Sequence, residues 1–324
     1  MSMLERLIAP HPVRRFVEDI WERGHLHVAR NDDSYFDWLF SPRDLDALLG
    51  RDNLRYPAVR LFLKGEQLAP HHFTRTWTYA GASYPDFVDL ERMYALLDQG
   101  STINILDLEG LWASVASMTR GLEIDIGSSV NSTAFFTPRT ADNIPAHYDM
   151  VDVFALQISG SKRWRLWPSV TGLPVLSATS RHYTIDDAAV SEDRLIADVE
   201  LKAGDTLFVP RGMIHQAITT DSHSLHITVM INPAKRWDIL HAAVEAALGA
   251  LASDPDARRA LSPARCLDDA EGHAAKVIDA FAREFEARRS EAIATLDDHS
   301  AATRYPARPG YLASDPAALS ERRS

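Results

Sequence analysis

The chain has 324 residues, of which 46% are hydrophobic and 24% charged, so it can form one large domain or two ordinary ones around a sizeable core. The formal net charge of −11 disfavours a broad basic face, and we expect no direct binding to nucleic acid. The single cysteine excludes internal disulfides and thiolate metal clusters. No apolar run approaches the roughly 18 residues of a membrane helix, and the N-terminus lacks an apolar signal core, which predicts a cytoplasmic protein without a membrane partner.

Short helices and strands alternate before residue 127. Ser41 precedes the helical pattern "PRDLDALL", with Asp44 three positions later, which is typical of a capped helix start. "AVRLFLK" predicts a strand, and "DLERMYALLDQG" predicts a helix closed by Gly100. "STINILDLE" predicts a further strand, and "EGLWASVASMTRGL" a helix that ends near Gly121.

A block rich in short strands extends from about residue 127 to 233. Its apolar or alternating runs are "SVNSTAFFTP", "DVFALQISG", "KRWRLWP", "DTLFVP" and "SLHITVMI", and Gly, Pro, Asp and Ser separate them. This spacing is typical of an antiparallel sandwich or jelly roll. We therefore predict an α+β protein with an antiparallel sandwich or jelly-roll core and flanking helices.

The composition changes after Pro233. Residues 234–298 contain two Ala-rich segments with helical periodicity, which predict a helical segment suited to dimerisation after a first domain at 1–233. Residues 299–324 are polar and rich in Ala, Pro and Ser, which favours a loosely packed or disordered tail.

The stretch "IPAHYDMVDVFALQISGSKRW" combines residues that suit a metal. On a strand, residues two apart share a face, so His147 and Asp149 would point to one place while Tyr148 points away. An imidazole and a carboxylate suit a divalent metal, and a second histidine would complete the set that non-haem iron uses to activate oxygen. "LKAGDTLFVPRGMIHQA" supplies it as His215, which opens a strand after two turns.

A cation and a hydroxyl lie near this group in the predicted roll. Lys162 follows the predicted turn "SGS" at the start of the next strand, and it could pair with the far carboxylate of an acid co-substrate. Thr228 offers a hydroxyl from a facing strand. Taken singly, each residue has an ordinary explanation, such as a solvated lysine or a hydrogen-bonded histidine. The joint pattern, with the segment "GDTLFVPRGMIH", favours metal binding.

The segments "PAHYDMVDVFALQISGSKRWRLW", "LKAGDTLFVPRGMIHQA" and "HSLHITV" together resemble the JmjC-type Fe(II)- and 2-oxoglutarate-dependent oxygenases. They are most similar to the ribosomal oxygenase, or cupin-like JmjC, branch, which hydroxylates histidyl or arginyl residues. The resemblance implies iron ligation by His147, Asp149 and His215, and binding of 2-oxoglutarate by Lys162 and Thr228. Thr133 stands where the family often has an asparagine that contacts the co-substrate.

The resemblance implies a double-stranded β-helix (jelly-roll) core and O2-dependent hydroxylation of a protein or peptide side chain. The helical C-terminal segment predicts a homodimer. The alternatives are a hydroxylase of a free amino acid or a peptide natural-product precursor, a cupin-type metal enzyme that does not use 2-oxoglutarate, and a catalytically silent binding protein. Trp77, Tyr79 and Phe135 are candidate walls of the substrate groove, although core packing is the better explanation for each. His226 alternates onto the face of Thr228, where a polar interior explains it equally well.

Overall fold

A computed structural model describes residues 1–51, 53–139, 145–175, 185–255, 257–258 and 270–289. The predicted tail at 299–324 and the end of the second predicted helix lie outside them. The described chain divides into two compact units, Met1–Pro233 and the residues from Ala234 onward. Within these ranges, every helix is too short or too polar to cross a membrane.

Both units contain helices, and the first also contains the strands. The helices are α1 (Met3–Ile8), α2 (Val13–Arg15), α3 (Pro42–Leu49), α4 (Leu90–Asp98), α5 (Leu108–Leu111), α6 (Ala113–Ile126), α7 (Arg236–Leu251) and α8 (Ala270–Ala287). The strands are β1 (Leu26–Val28), β2 (Val59–Leu63), β3 (Glu66–Gln67), β4 (Thr74–Tyr79), β5 (Ala82–Val88), β6 (Thr102–Leu106), β7 (Ser129–Thr137), β8 (Asp152–Trp167), β9 (Ala197–Lys202), β10 (Thr206–Val209) and β11 (Ile214–Asn232).

Nine strands form one antiparallel sheet. Their order is β1-β10-β8-β11-β7-β6-β2-β3, with β9 paired to β8 as a branch, while β4 and β5 form a separate hairpin. Along β8 the side chains alternate between two environments. Phe154 and Leu156 enter the main apolar core, whereas Val153 and Ala155 pack in a smaller cluster that faces the inside of the roll. Because only one face of β8 packs in the main core, the other face is available to line a binding site inside the roll.

The two longest strands bend and remain paired through the bend. β8 pairs with β10 through its first half and with β9 through its second half, and β11 pairs with both halves. The bend lies at Gly160, where φ is +67°, and the register with β11 shifts between Thr219 and Ser224. The predicted turn "SGS" is therefore wrong, because β11 continues the hydrogen bonding across it. The predicted strands "DVFALQISG" and "KRWRLWP" are the two halves of the single strand β8.

The predicted end of α6 is also wrong. The helix continues past Gly121 to Ile126 and ends at Gly127, which adopts the left-handed conformation with φ of +70°. A Cβ atom at Gly121 would lie 3.0 Å from the Cβ of Met3 in α1. The glycine therefore allows two helices to approach closely and does not end one. The predicted cap is confirmed, because Ser41 accepts a hydrogen bond from the Asp44 backbone at the start of α3.

The bend at Gly160 generates a stability prediction. A Cβ atom there would lie 1.8 Å from the carbonyl oxygen of His223, and the positive φ is itself strained for alanine. We expect Gly160→Ala to lower the free energy of unfolding by roughly 2–5 kcal/mol in urea titrations. Gly127→Ala is the control, because its φ is similar but its Cβ meets nothing within 4 Å. Equal losses in the two variants would contradict the importance of the close approach.

Candidate metal centre

His147, Asp149 and His215 converge at one end of the roll. Each offers one ligand atom, and these atoms lie within 4.8 Å of one another. The backbones of the two histidines form a short antiparallel bridge. The His215 N–H donates to the His147 carbonyl at 2.7 Å, and the His147 N–H donates to the His215 carbonyl at 3.0 Å. Residues 68 positions apart in the chain are thereby held side by side.

The sequence pattern predicted that His147 and Asp149 converge because they share one face of a strand. This prediction is wrong. β8 begins only at Asp152, so His147 and Asp149 lie in the segment before it. The bridge to His215 fixes the first of them, and the Gly212 N–H donates to the Asp149 carbonyl at 2.9 Å to fix the second. The turn before β11 and the start of β11 therefore fix the backbone of His147 and Asp149, as neighbouring strands would fix a regular strand.

Both imidazoles are oriented for a metal. Nδ1 of His147 lies 2.9 Å from the carbonyl oxygen of Pro145, and Nδ1 of His215 lies 3.1 Å from that of Met213. Because a carbonyl can only accept, each Nδ1 carries the proton and each Nε2 keeps its lone pair. Nε2 of His215 lies 3.6 Å from Oδ2 of Asp149. Two imidazole nitrogens and one carboxylate fit Fe(II) or a similar divalent ion and leave further coordination positions open.

The surroundings of His215 also favour the neutral imidazole. Burial lowers the pKa of His215, and the neighbouring His147 lowers it further, while the Asp149 carboxylate opposes both effects. The imidazole is therefore neutral at physiological pH, as a metal ligand must be.

One cavity of about 220 Å³ joins this centre to the other predicted residues. Its wall includes the three ligands together with Lys162, Thr133, Thr228, Phe135 and His226. Strand register explains part of the grouping, because Thr133 of β7 lies opposite Thr228 of β11, and Phe135 lies opposite His226. Thr133 lines the cavity although it departs from the asparagine of the family pattern.

Lys162 is a buried cation that has no partner among the described residues. Its side chain is 5% exposed, and within the described residues its amine makes no hydrogen bond or ion pair. Burial lowers the pKa of Lys162 to about 8, because the charged form loses its hydration. A buried ammonium of this kind is stabilised when an anion binds beside it.

Two predicted walls lie elsewhere. Trp77 and Tyr79 belong to the β4–β5 hairpin, are 41% and 63% exposed, and stack on each other at 5.4 Å. They are not among the residues that line this cavity, and their hairpin is a two-stranded sheet separate from the sheet that supplies its wall. Asn104 and Trp164 are among the cavity residues that sequence reasoning missed. The signal for Asn104 was available, since it is the polar residue between Ile103 and Ile105 of an apolar strand.

Sequence reasoning also missed a buried ion network next to residues 147–149, which we call the metal segment. The Arg211 backbone N–H donates to Oδ1 of Asp152 at 2.8 Å, and its guanidinium donates to Oδ2 at 3.0 Å and to the Glu22 carboxylate. Arg211 is 5% exposed and Asp152 is fully buried. Because Arg211 precedes Gly212, the network fixes the turn that holds the Asp149 carbonyl. The partners are far apart in sequence, so no local pattern indicated the network.

Comparisons with known proteins agree with these observations. The JmjC domain family matches residues 113–239. Ribosomal oxygenase 1 from Homo sapiens is 30% identical over 257 residues, which cover 76% of this chain and 37% of that protein. The Gallus gallus protein of the same name is 32% identical over 270 residues, covering 81% of this chain and 42% of the relative. The chain thus spans less than half the length of these relatives.

A solved structure shares the fold. The ribosomal oxygenase YcfD from Escherichia coli, solved in complex with cobalt and 2-oxoglutarate, superposes with a TM-score of 0.52 at 16% identity. The alignment covers 89% of this chain and 70% of that one. The predicted cupin-like JmjC fold is therefore confirmed.

The metal centre can be tested without turnover. We expect divalent metal to raise the thermal unfolding temperature of the wild type but not of His215→Ala, because a ligand is lost. The apparent metal affinity should fall by more than the roughly 10- to 100-fold that loss of an outer hydrogen-bond partner costs. His71→Ala, which changes an exposed histidine outside the site, is the control and should behave as wild type. An unchanged metal response in His215→Ala would contradict the assignment.

The ion network predicts a pH-dependent loss of stability. Arg211→Met leaves the Asp152 carboxylate buried without a countercharge, so we expect a loss of about 3–5 kcal/mol at neutral pH. Burial already raises the pKa of Asp152, and removing Arg211 raises it further. The loss should shrink as the pH falls and this carboxyl becomes protonated. Arg163→Met, at an exposed ion pair with Asp198, should change stability little at any pH. A pH-independent loss in Arg211→Met would refute this explanation.

Proposed function

We propose, from the premise that the chain belongs to the JmjC-domain family, that it is an Fe(II)- and 2-oxoglutarate-dependent oxygenase. The reaction we propose is O2-dependent hydroxylation of a side chain in a protein or peptide. His147, Asp149 and His215 would hold the iron, and Lys162, Thr228 and Thr133 would hold the co-substrate.

The observation that carries this proposal is the buried Lys162, which has no partner among the described residues and lines the same cavity as the three candidate metal ligands. A metal enzyme of the cupin type that did not bind an acid would bury this cation at a cost and gain nothing from it. A dicarboxylic 2-oxo acid explains both ends of the cavity, because one end chelates a metal and the other carries a carboxylate.

The surrounding residues suit the chemistry. Bound iron supplies the activation of O2 that is coupled to oxidative decarboxylation of 2-oxoglutarate. Thr228 and Thr133, opposite each other on adjacent strands, offer hydroxyl hydrogen bonds to the co-substrate. Val153, Ala155 and Met230 contribute apolar wall, which excludes water from the reacting atoms.

The class of substrate is supported by the relatives. A Dictyostelium discoideum relative that is 31% identical over 241 residues (73% of this chain, 44% of that protein) is described as a bifunctional lysine-specific demethylase and histidyl-hydroxylase. We propose by analogy that a polypeptide is the substrate here and that a histidyl or arginyl side chain is hydroxylated. A free amino acid is the competing class.

The second unit supports a homodimer. Its two described helices expose large apolar side chains, namely Trp237, Leu240, Leu248, Val277 and Ile278. Such side chains favour association with another surface, and a second copy is the partner we propose. The absence of nucleic-acid binding and a cytoplasmic location stay predictions.

Anaerobic absorbance tests the proposed function. Adding Fe(II) and then 2-oxoglutarate should produce a visible charge-transfer band in the wild type but not in His147→Ala. In Lys162→Met, the affinity for 2-oxoglutarate should fall roughly 30-fold or more, which is about 2 kcal/mol for losing a buried charge partner. Lys202→Met, at an exposed lysine of the neighbouring strand, is the matched control.

The same titration has a pH signature. The pKa of Lys162 is about 8, so wild-type affinity should decline as the pH rises above that value and the free amine loses its proton. Lys162→Met should lack this decline. Iron binding without any band in the wild type would instead favour a cupin-type enzyme that does not use 2-oxoglutarate. With the band present, mass spectrometry of peptides and free amino acids for a gain of one oxygen atom separates the two substrate classes.

A further inference from the structure

His226 forms part of the cavity wall and is held rigidly there. It lies on β11, is almost fully buried, and stacks on Phe135 with ring centroids 5.0 Å apart and planes 3° apart. Trp164 contacts it edge-on at 5.8 Å, and the same indole lies 5.8 Å from the ring of the metal-site residue His215. Because two aromatic rings hold it, the imidazole has little freedom to turn.

The two nitrogens of this imidazole differ in environment. Nδ1 is buried and has no hydrogen-bond partner within the described residues. A buried N–H without an acceptor is costly, so the proton belongs on Nε2. Since the side chain lines the cavity, this tautomer presents an N–H donor at Nε2 to whatever the cavity holds.

His226 also stays uncharged. Burial lowers its pKa to about 3, and the Lys162 ammonium contributes to the lowering. The two side chains line the same cavity, and Trp164, whose ring contacts His226, lies two residues after Lys162 on β8. This part of the cavity therefore combines one positive charge with one neutral donor, which matches a single carboxylate with two acceptor oxygens.

We propose that His226 is a second anchor for the distal carboxylate of the 2-oxo acid, donating from Nε2 to one carboxylate oxygen while Lys162 binds the other. This inference rests on the proposed function. It makes the stacked pair of Phe135 and His226 a determinant of co-substrate choice, because the pair selects a 2-oxo acid that carries a second carboxylate.

The test compares two 2-oxo acids in two variants. 2-Oxoglutarate and 2-oxopentanoate have the same chain length, and only the first has a distal carboxylate. Dissociation constants come from anaerobic charge-transfer titrations with Fe(II). His226→Phe keeps the aromatic stack but removes the donor, whereas His226→Gln keeps an amide N–H near the position of Nε2. Thermal unfolding of each variant checks that it is folded.

We expect His226→Phe to weaken 2-oxoglutarate about tenfold or more, as the loss of a hydrogen bond to a charged group should. Its affinity for 2-oxopentanoate should stay within about twofold of wild type, since that acid has no group for His226 to bind. His226→Gln should recover most of the affinity for 2-oxoglutarate, which a purely structural role for the ring would not explain.

The other outcomes overturn the inference. Unchanged 2-oxoglutarate affinity in His226→Phe, or equal weakening of both acids, would show that His226 does not bind the distal carboxylate. If His226→Phe does not fold, the test relies on His226→Gln. The inference is then overturned if folded His226→Gln prefers 2-oxoglutarate over 2-oxopentanoate no more strongly than Lys162→Met does. If the wild type itself gives no band with 2-oxoglutarate, the proposed function fails, and that failure is visible before any variant is compared.

Discussion

The site depends on the pairing of β8 with β11. These strands are 16 and 19 residues long, and they stay hydrogen-bonded on both sides of the bend at Gly160. Through this pairing, Lys162 from one strand and His215, His226 and Thr228 from the other come to line the same cavity. The first half of β8 pairs with β10 and the second half with β9. The bent pair of β8 and β11 therefore forms the inner wall of the roll.

The interior of that roll separates its charges. At the metal end, the Asp149 carboxylate faces two imidazoles whose Nδ1 protons are bonded to backbone carbonyls. Elsewhere in the cavity, burial depresses the pKa of Lys162. A metal cation bound beside the Asp149 carboxylate and an anion bound beside the buried Lys162 ammonium would each complete an ion pair in this cavity. A single molecule with a chelating end and an acidic end meets both requirements.

The metal segment needs support because it is not part of a regular strand. Two hydrogen bonds of the bridge hold His147, and one from Gly212 holds Asp149. The buried pair of Arg211 and Asp152 fixes the same turn from behind, and Glu22 extends the network to the N-terminal part of the chain. Residues before β1 therefore take part in ordering a site whose ligands all lie beyond residue 146.

The sequence by itself determined the strand-rich block and the helices after Pro233, and it predicted a metal centre, because period-two alternation, turn residues and metal-ligand types are local properties. Spacing and family resemblance together singled out His147, Asp149, His215 and Lys162. Only the tertiary structure decided that "SGS" is a bend within one strand, that Gly121 lies inside a helix, and that Trp77 and Tyr79 belong to a separate hairpin. It also decided that Arg211 and His226 face their partners. Most of these features depend on which distant segments hydrogen-bond or pack together, and a local pattern carries no information about a partner that is far away in the chain. The hairpin is the exception, because its strands are neighbours in the chain, and only the tertiary structure shows that they stay apart from the main sheet.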